Sequence, residues 1–276
     1  MSTAASARGI AMIGGGQITL ALAEGFVKAG LLAPGEITVF DPHAPARERL
    51  ASRVPGVRFA ATGPEAAQAA RLMMLAIKPQ QAAAACGEIR PAVAADAVIV
   101  SIVAGLSTAA LARLTGSERI IRVMPNTPSL VGRGVSVVCR TPAVPAADVA
   151  RMLELLAAVG HVHEVDESLM DAVTGLSGSG PGFIARFVEA LAAGGVEAGL
   201  PEQLALALAV ETLAGTGALL ETTGEHPAEI RARVTSPGGT TLAGLGVLEE
   251  RGGTAAIQAA VVAAANRARE LGRQPT

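Results

Sequence analysis

Short apolar runs alternate with segments of helical periodicity through the first half of the chain. The runs cover residues 9–14, 36–41, 71–79, 96–105 and 119–125, and most of them end at Gly or Pro. Strands that are apolar at every position are typical of a parallel sheet with helices on both faces, because both sides of such a sheet are buried. A further strand near residues 134–139 and a helix over residues 145–159 continue this α/β pattern.

The second half of the chain has helical periodicity only. It extends over residues 180–199 and 200–224 and from residue 240 onward, with Gly and Pro at the boundaries. These helices are apolar nearly all round, and such helices need partners. We therefore predict two domains: residues 1–165 with a mostly parallel sheet, and residues 166–276, all helical, through which the chain forms a homodimer.

Composition narrows the classes of function. The chain has 276 residues, of which 50% are apolar and only 2% aromatic, so a core of Ala, Val, Leu and Ile is expected. The net charge is −2 with both signs interspersed, which argues against a nucleic-acid partner. Cys86 and Cys139 are far apart and near no His-rich spacing, so we predict free thiols and neither a disulfide nor a metal site.

Two features favour a cytoplasmic location. The longest apolar helical stretch, residues 204–220, carries Glu211 in its middle, so we predict no membrane span. The N-terminal segment MSTAASAR has no apolar centre and does not resemble a secretion signal. We expect a cytoplasmic enzyme or binding protein.

Gly14, Gly15 and Gly16 separate the first predicted strand from a helix that begins near Gln17. Gly14 permits a tight turn, and Gly16 lets the backbone approach a pyrophosphate at the positive end of the helix. Between a strand and a helix, at the start of an alternating fold, this pattern predicts a Rossmann-type dinucleotide site. A simple strand-to-helix turn is the alternative. The third small position of the fingerprint holds Thr19.

Asp41 ends the second apolar run. A carboxylate there accepts hydrogen bonds from the adenosine ribose hydroxyls and disfavours a 2′-phosphate, whereas an Asp-Pro turn start is the alternative interpretation. Arg47 and Arg49 follow closely and are either phosphate ligands or solvated helix charges. Lys78 and the segment MPNT at residues 124–127 each follow a strand end, where open α/β sheets bind ligands.

Five stretches carry a family resemblance. They are IGGG at 13–16, LAIKPQ at 75–80, RVMPNTP at 122–128, SGSGP at 177–181 and TSPGGTTLAGL at 235–245. In this order and spacing the chain resembles the pyrroline-5-carboxylate reductases over residues 9–271. The resemblance implies hydride transfer from NADPH or NADH to a five-membered cyclic imine bearing a carboxylate, the final step of proline biosynthesis.

The resemblance also implies a cofactor site. Its residues would be Gly14, Gly15, Gly16, Gln17, Ile18, Asp41, Ile77, Lys78, Pro79, Met124, Asn126, Ser177 and Gly178. SGSGP would face the nicotinamide as a helix entrance with Pro181 at the first helical position. The chain departs from the family at Gln17-Ile18, Gly182-Phe183 and Gly63-Pro64, which bears on cofactor affinity and preference. Because the family commonly uses NADPH and Asp41 favours a free ribose, we expect NADH to be accepted as well.

Substrate binding is assigned to the last motif. Ser236, Gly238, Gly239 and Thr240 can present backbone N–H groups, and Ser236 a hydroxyl, to the substrate carboxylate at a helix N-terminus. By resemblance, the Thr241 hydroxyl bonds the ring nitrogen and is the catalytic contact. Ordinary helix capping by Ser or Thr is the alternative. His226, before Pro227, is interpreted as a structural residue at a helix start rather than an acid.

Other functions were weighed against this one. A β-hydroxyacid dehydrogenase would need Lys and Asn where this chain has Ile184 and Val188, so that chemistry is disfavoured. A reductase of another cyclic imine carboxylate stays open. A non-catalytic dinucleotide-binding regulator is the alternative from another class, and the intact SPGGTT segment argues against it.

Overall fold

A computed structural model describes residues 6–273 of the protein, and for residues 6–8 and 273 it describes the backbone alone. One sheet of eight strands has the order β3-β2-β1-β4-β5-β6-β7-β8. The strands are β1 (Ser6–Ile13), β2 (Ile37–Phe40), β3 (Arg58–Phe59), β4 (Ala70–Leu75), β5 (Val98–Ser101), β6 (Ile120–Met124), β7 (Gly134–Arg140) and β8 (Gly160–Glu164).

Helices connect the strands and then form the second half of the chain. Those between strands are α1 (Gln17–Lys28), α2 (Ala44–Arg53), α3 (Gly63–Ala69), α4 (Ala82–Ile89), α5 (Thr108–Thr115) and α6 (Ala146–Ala157). After the sheet follow α7 (Met170–Val173), α8 (Gly180–Glu197), α9 (Glu202–Thr223), α10 (Pro227–Arg233), α11 (Thr240–Glu250) and α12 (Gly253–Arg273).

The uniformly apolar strands are buried on both faces. In β5, Val98 and Val100 belong to one core cluster while Ile99 between them belongs to the other, and β1 alternates in the same way. Successive side chains of a strand point to opposite faces, so each strand contributes to both layers. The predicted α/β fold with a mostly parallel sheet is confirmed by this arrangement.

The far edge of the sheet differs from the simple parallel pattern. β7 runs antiparallel to β6, and β8 pairs in parallel with β7. The sequence did not predict β8, whose segment GHVHE contains two His and one Glu and lies partly exposed. An edge strand has one neighbour and needs no continuous apolar run, so its sequence gives only a weak signal.

Contacts divide the chain into two compact units. The first contains the described residues up to Ser179 together with those from Ala263 onward, and the second is Gly180–Val262. The sheet ends at Glu164, close to the predicted boundary at 165, yet the division by contacts falls later. α7 and the segment after it pack on the sheet, as Met170 does in a cluster with Met124. The boundary at 165 stays a prediction.

The second unit leaves much apolar surface uncovered. By length and composition alone, α9 could cross a membrane. Only 11% of the residues in its most apolar stretch are buried within the chain. Exposed side chains of α8 and α9 include Ile184, Phe187, Leu191, Leu204, Leu206, Leu208 and Val210. So many exposed apolar side chains on two neighbouring helices indicate an interaction site, as the predicted homodimer requires.

Both cysteines are free and buried. Burial raises the pKa of Cys86 to about 11, and burial with the nearby Glu167 carboxylate raises the pKa of Cys139 to about 11. A raised pKa disfavours the thiolate, which is the form of cysteine that acts as nucleophile and metal ligand. Among the residues that the structure describes, no group of three or more His, Cys, Asp or Glu side chains could hold a metal ion.

Candidate active site

The turn after β1 requires Gly14. Its φ is +104°, and a Cβ there would lie 2.8 Å from the Ala76 carbonyl carbon, closer still to the carbonyl oxygen, and 3.2 Å from Ile77. The Gly14 N–H donates to the Phe40 carbonyl at 2.8 Å. The glycine turn therefore packs between the end of β2 and the residues after β4, and Ile77 lies directly beside Gly14.

Gly16, in contrast, has room for a ligand. It has a φ of −69° as the N-cap of α1, and a Cβ on it would meet no protein atom within 4 Å. The cap has no side-chain hydrogen bond, and the first turn, which contains Gln17 and Ile18, has no acidic residue. The first N–H groups of a helix have no intrahelical partners and carry partial positive charge. Open space before an uncapped helix start fits the pyrophosphate of a dinucleotide.

Thr19 completes the turn in a way that the fingerprint does not predict. Its side chain is fully buried, and its hydroxyl donates to the Gly14 carbonyl at 2.7 Å. The usual small residue at this position serves only close packing of helix on strand. Here Thr19 satisfies a buried carbonyl and joins the helix to the turn.

Asp41 joins its own turn to the glycine loop. One carboxylate oxygen accepts from the His43 N–H at 2.8 Å, which is the expected turn, and the other accepts from the Gly15 N–H at 2.6 Å. The Arg47 guanidinium donates to the Asp41 backbone carbonyl at 2.6 Å. The end of β2 is thus joined to the glycine loop, with a carboxylate and a cation side by side.

A second group of predicted residues lies at the end of β6. The Asn126 side chain is buried, accepting from the Val135 N–H at 2.8 Å and donating to the Ser177 carbonyl at 3.1 Å. Met124 lies against Gly178, where a Cβ would be 3.4 Å from the Met124 sulfur. Asn126 therefore holds the end of β6 against the segment at Ser177.

A helix does begin within SGSGP, as predicted, but the segment before it is already helical. Residues Thr174–Gly178 form a π-helical turn that continues from α7, and α8 begins at Gly180 with Pro181 as its second residue. The Ser177 hydroxyl donates to the Val173 carbonyl at 3.1 Å. Two glycines and two hydroxyls fit this wider turn, because side-chain hydrogen bonds occupy carbonyls that a regular helix would use. π-turns inside helices are frequent at functional sites.

Sequence reasoning missed a charged network behind this turn. Arg122, buried in β6, lies 3.6 Å from the Glu167 carboxylate and 3.8 Å from Asp171. Glu167 accepts from both the N–H and the hydroxyl of Thr108 at 2.6 Å, at the start of α5. Asp171 also lies 3.9 Å from Arg269 of α12. A lone Arg within the apolar run RIIRVMP was the available signal, since a buried charge needs partners.

Ile77, Lys78 and Pro79 follow β4. Ile77 and Pro79 are half-buried and Lys78 is exposed at the N-cap of a short 3₁₀ turn, Pro79–Gln81. β1, β2, β4 and β6 run parallel through the sheet, so their carboxyl ends lie along one edge. The predicted cofactor residues of the first unit therefore share one edge of the sheet, where such sheets bind ligands.

The motif SPGGTT lies in the second unit, described here by itself. The Gly239 N–H donates to the Ser236 carbonyl at 3.0 Å, Pro237 follows Ser236, and Gly238 has a φ of +70°. Pro followed by a positive-φ Gly is the signature of a type II turn. A Cβ on Gly239 would overlap the Ser236 hydroxyl oxygen, so this glycine makes room for that hydroxyl.

Capping, the alternative for these hydroxyls, is not how they are used. The N-cap of α11 is Gly239, which has no side-chain cap bond, and the first turn carries no acidic residue. Thr240 and Thr241 are the first two helical residues, exposed and half-buried respectively. The helix therefore begins with N–H groups that no side chain caps and with two hydroxyls in its first turn. This arrangement suits an anion.

His226 is a structural residue, as predicted. It is the N-cap of α10, where its Nδ1 accepts from the Ala228 N–H at 3.2 Å. The His226 N–H in turn donates to the Glu229 carboxylate at 3.2 Å, which completes a capping box. The ring is thus used to cap α10, which agrees with the structural interpretation.

Comparison with known proteins agrees with these features. Residues 167–271 match the family model for pyrroline-5-carboxylate reductase dimerisation, and residues 9–105 match that for NADP oxidoreductase, coenzyme F420-dependent. A pyrroline-5-carboxylate reductase of Synechocystis is 43% identical over 270 residues, covering 96% of this chain and 98% of the relative.

Solved structures of the same kind also match along almost the whole chain. The reductase of Coxiella burnetii has a TM-score of 0.88 at 30% identity, covering 98% of this chain and 100% of the other. The pyrroline carboxylate reductase of Plasmodium falciparum, solved with NADP bound, has a TM-score of 0.87 at 28% identity, covering 97% and 99%. On this similarity in sequence along nearly its full length, the chain belongs to the pyrroline-5-carboxylate reductase family.

Proposed function

We propose that the protein reduces 1-pyrroline-5-carboxylate to proline with NADPH or NADH, the last step of proline biosynthesis. The observation that carries this is the start of α11. Its first N–H groups are capped by no side chain, and its first two residues are Thr240 and Thr241. Family membership and the NADP bound in the Plasmodium relative support the choice of reaction and cofactor. The substrate is a small molecule, and neither nucleic acid nor membrane is part of the proposal.

The first unit supplies the cofactor site. The space at Gly16 and the free N–H groups at the start of α1 hold the pyrophosphate, and the Asp41 carboxylate receives the ribose hydroxyls. When bound, the reduced nicotinamide supplies a hydride to the carbon of the substrate C=N bond. Predicted contacts at Ile77, Lys78, Pro79, Met124, Ser177 and Gly178 remain part of this proposal, with Asn126 holding the edge in shape.

The second unit supplies the substrate contacts. The turn at Ser236–Gly239 carries no Lys or Arg, so the carboxylate is bound by N–H groups at the positive end of α11 and by the Ser236 hydroxyl. The Thr241 hydroxyl bonds the ring nitrogen, to which it donates once the nitrogen is an amine. The reaction needs little acid–base machinery, because a protonated imine accepts hydride directly.

A second candidate is a reductase of another cyclic imine carboxylate. The same N–H groups would bind its carboxylate, and the ring size does not enter the geometry of the turn at Ser236–Gly239. A regulator without catalysis is disfavoured, because it would not need the uncapped N–H groups and the two threonine hydroxyls at the start of α11. Turnover of 1-pyrroline-5-carboxylate beside its six-membered homologue separates these candidates.

Thr241→Ala is expected to lower kcat with 1-pyrroline-5-carboxylate by about tenfold to a hundredfold. The hydroxyl bond to the ring nitrogen contributes about 1–3 kcal/mol if it strengthens in the transition state. Steady-state NADPH oxidation measures this, with NADPH affinity by fluorescence titration as the control for an intact cofactor site. Thr240→Ala, at the neighbouring exposed position, serves as the matched variant and should affect kcat less. Unchanged turnover in Thr241→Ala would remove this residue from the mechanism.

Self-association belongs to the family's dimerisation domain, and we propose a homodimer formed through the apolar surfaces of α8 and α9. Burying these side chains removes apolar area from water, at about 25 cal/mol per Å². We also propose a cytoplasmic location. Multi-angle light scattering of the full chain at assay concentration tests the assembly, and a fully active monomer would contradict it.

A further inference from the structure

Arg122 is a buried cation on an otherwise apolar strand, β6. Ile121 and Val123 on either side of it belong to one core cluster, so the Arg122 side chain points to the opposite face of the sheet. Only 4% of that side chain is exposed. Its Nη1 lies 3.6 Å from the Glu167 carboxylate and its Nη2 lies 3.8 Å from Asp171. Both distances are those of ion pairs and exceed those of hydrogen bonds.

The strength of these pairs does not account for a charge at this position. The Nε and Nη2 atoms of Arg122 are buried and have no hydrogen-bond partner among the residues that the structure describes. Unpaired buried donors cost free energy, and an apolar side chain in place of a buried ion pair is often neutral or stabilising. Arg71, a less buried arginine, contacts its partner Asp148 at 2.7 Å. The looser pairing of Arg122 therefore needs another explanation.

Both carboxylates belong to one continuous segment, residues 167–178. It begins with the 3₁₀ turn Glu167–Leu169, continues as α7 and ends in the π-turn Thr174–Gly178. The Thr174 hydroxyl donates to the Met170 carbonyl at 2.8 Å, which joins the π-turn to α7. A displacement of α7 would therefore move the π-turn as well.

The β6 strand and the residues after it hold this segment at two places. The Asn126 amide donates to the Ser177 carbonyl at 3.1 Å, which fixes the π-turn at the far end of the segment. Arg122 faces the two carboxylates nearer its start. An ion pair in a low-dielectric interior attracts over several ångströms and requires no exact geometry. Arg122 therefore determines how close α7 lies to β6.

Each carboxylate also has a partner other than Arg122. Glu167 accepts from the N–H and the hydroxyl of Thr108 at 2.6 Å, and Asp171 lies 3.9 Å from Arg269. Both carboxylates are partly exposed. Removal of the cation would leave neither of them buried without a partner, so the fold should persist and the main change should be in the position of α7.

We propose that Arg122 is a positioning residue: through Glu167 and Asp171 it sets the distance of α7 and the π-turn from β6, and so places Ser177 and Gly178 against the nicotinamide. This inference rests on the proposed cofactor site, in which Arg122 itself touches neither cofactor nor substrate. A small displacement of reacting groups has a large effect on rate. Arg122 therefore affects hydride transfer more than it affects binding of the adenosine part of the cofactor.

Single-turnover kinetics of the full-length protein separate position from stability, because the rate constant reports hydride transfer and the amplitude reports the fraction of folded protein. Protein saturated with NADPH is mixed with 1-pyrroline-5-carboxylate in a stopped-flow instrument, and 4-deuterated NADPH identifies the hydride step. Arg122→Met is expected to lower the rate constant about tenfold at parental amplitude. Affinity for adenosine 2′,5′-bisphosphate should change less than about twofold, and Arg122→Lys, which keeps the charge, should recover most of the rate.

Two further variants complete the test. Arg140→Met is the matched control, because Arg140 lies in the neighbouring strand β7 at the same 3.6 Å from a carboxylate, that of Glu164, but is exposed. It should leave the rate constant within about twofold of the parent. Asp171→Asn should lower the rate constant severalfold, and adding it to Arg122→Met should lower it little further, because both changes remove the same interaction.

A parental rate constant in Arg122→Met would overturn the inference, as would one in Asp171→Asn if Arg122→Met does not fold. A lower amplitude at an unchanged rate constant would make Arg122 a purely structural residue, and an equal effect of Arg140→Met would indicate a general effect of charge. Weakening of the bisphosphate as large as the loss of rate would show that the whole cofactor site is disturbed. Failure of the proposed function looks different, because the parent protein itself would not oxidise NADPH with the imine.

Discussion

Gly14→Ala is expected to lower the free energy of unfolding by about 3 kcal/mol or more and to abolish dinucleotide binding. The backbone φ of +104° is one that L side chains rarely adopt, and the added Cβ would overlap the Ala76 carbonyl. A strained backbone residue costs about 1–3 kcal/mol, and the overlap adds to it by pushing β4 away from the turn. Chemical denaturation at fixed protein concentration measures the loss, since an oligomer's stability depends on concentration.

Gly16→Ala is the matched control, and it is expected to weaken cofactor binding strongly while changing stability little. The backbone there is already favourable for Ala and no protein atom lies within 4 Å of the new methyl, so stability should change by less than about 1 kcal/mol. NADPH affinity should nevertheless fall at least tenfold, because the methyl occupies the space assigned to the pyrophosphate. Parental affinity in Gly16→Ala would show that the phosphates bind elsewhere. Parental stability in Gly14→Ala would contradict the steric argument.

The substrate carboxylate is expected to contribute more to kcat/KM than any other substrate group. 1-Pyrroline, which lacks it, should be reduced at least a hundredfold less efficiently than 1-pyrroline-5-carboxylate, a difference of about 3 kcal/mol. Without the carboxylate, the polar groups around Gly238–Thr240 lose their partner, and leaving such groups unpaired is costly. NADPH oxidation measured with both imines gives the ratio directly.

Ser236→Ala sharpens this comparison. The Ser236 hydroxyl lies over Gly239 at the start of α11, so its removal should weaken reduction of the carboxylate substrate and leave 1-pyrroline unchanged. Ser52→Ala, at an exposed position of α2, is a control substitution of the same type. Equal efficiency with the two imines in the parent protein would exclude carboxylate binding by this turn.

The pattern of residues was sufficient for most of the fold. Continuous apolar runs predicted β1, β2, β4, β5 and β6, and helical spacing predicted α1, α6, α8 and α9 within a few residues. These features depend on side-chain period and on Gly or Pro at the ends, both local properties of the chain. The glycine loop and SPGGTT were also visible locally, because each requires backbone conformations that few residues allow.

Weaker or conflicting local signals gave the errors. β8 was missed because an edge strand with His and Glu lacks an apolar run. The π-turn before α8 was missed because the Gly and Pro of SGSGP mark the start of a helix and give no sign of helical structure before it. In the structure the segment before it is already helical, and Asn126 and Met124 hold a π-turn in place. The hydrogen bond from Asn126, 51 residues away from Ser177, therefore helps to fix the local geometry.

The chain by itself thus determined which segments form most of the strands and helices and where the glycine-dependent turns lie. Only the tertiary structure decided which polar groups meet: Asp41 with the Gly15 N–H, 26 residues apart, and buried Arg122 with Glu167 and Asp171. It also decided that Arg47 binds the Asp41 carbonyl while Arg49, two residues further along the same helix, is exposed. Such pairings depend on strand order and on the packing of helices against the sheet, so they arise only when distant segments are brought together, and no local periodicity records them.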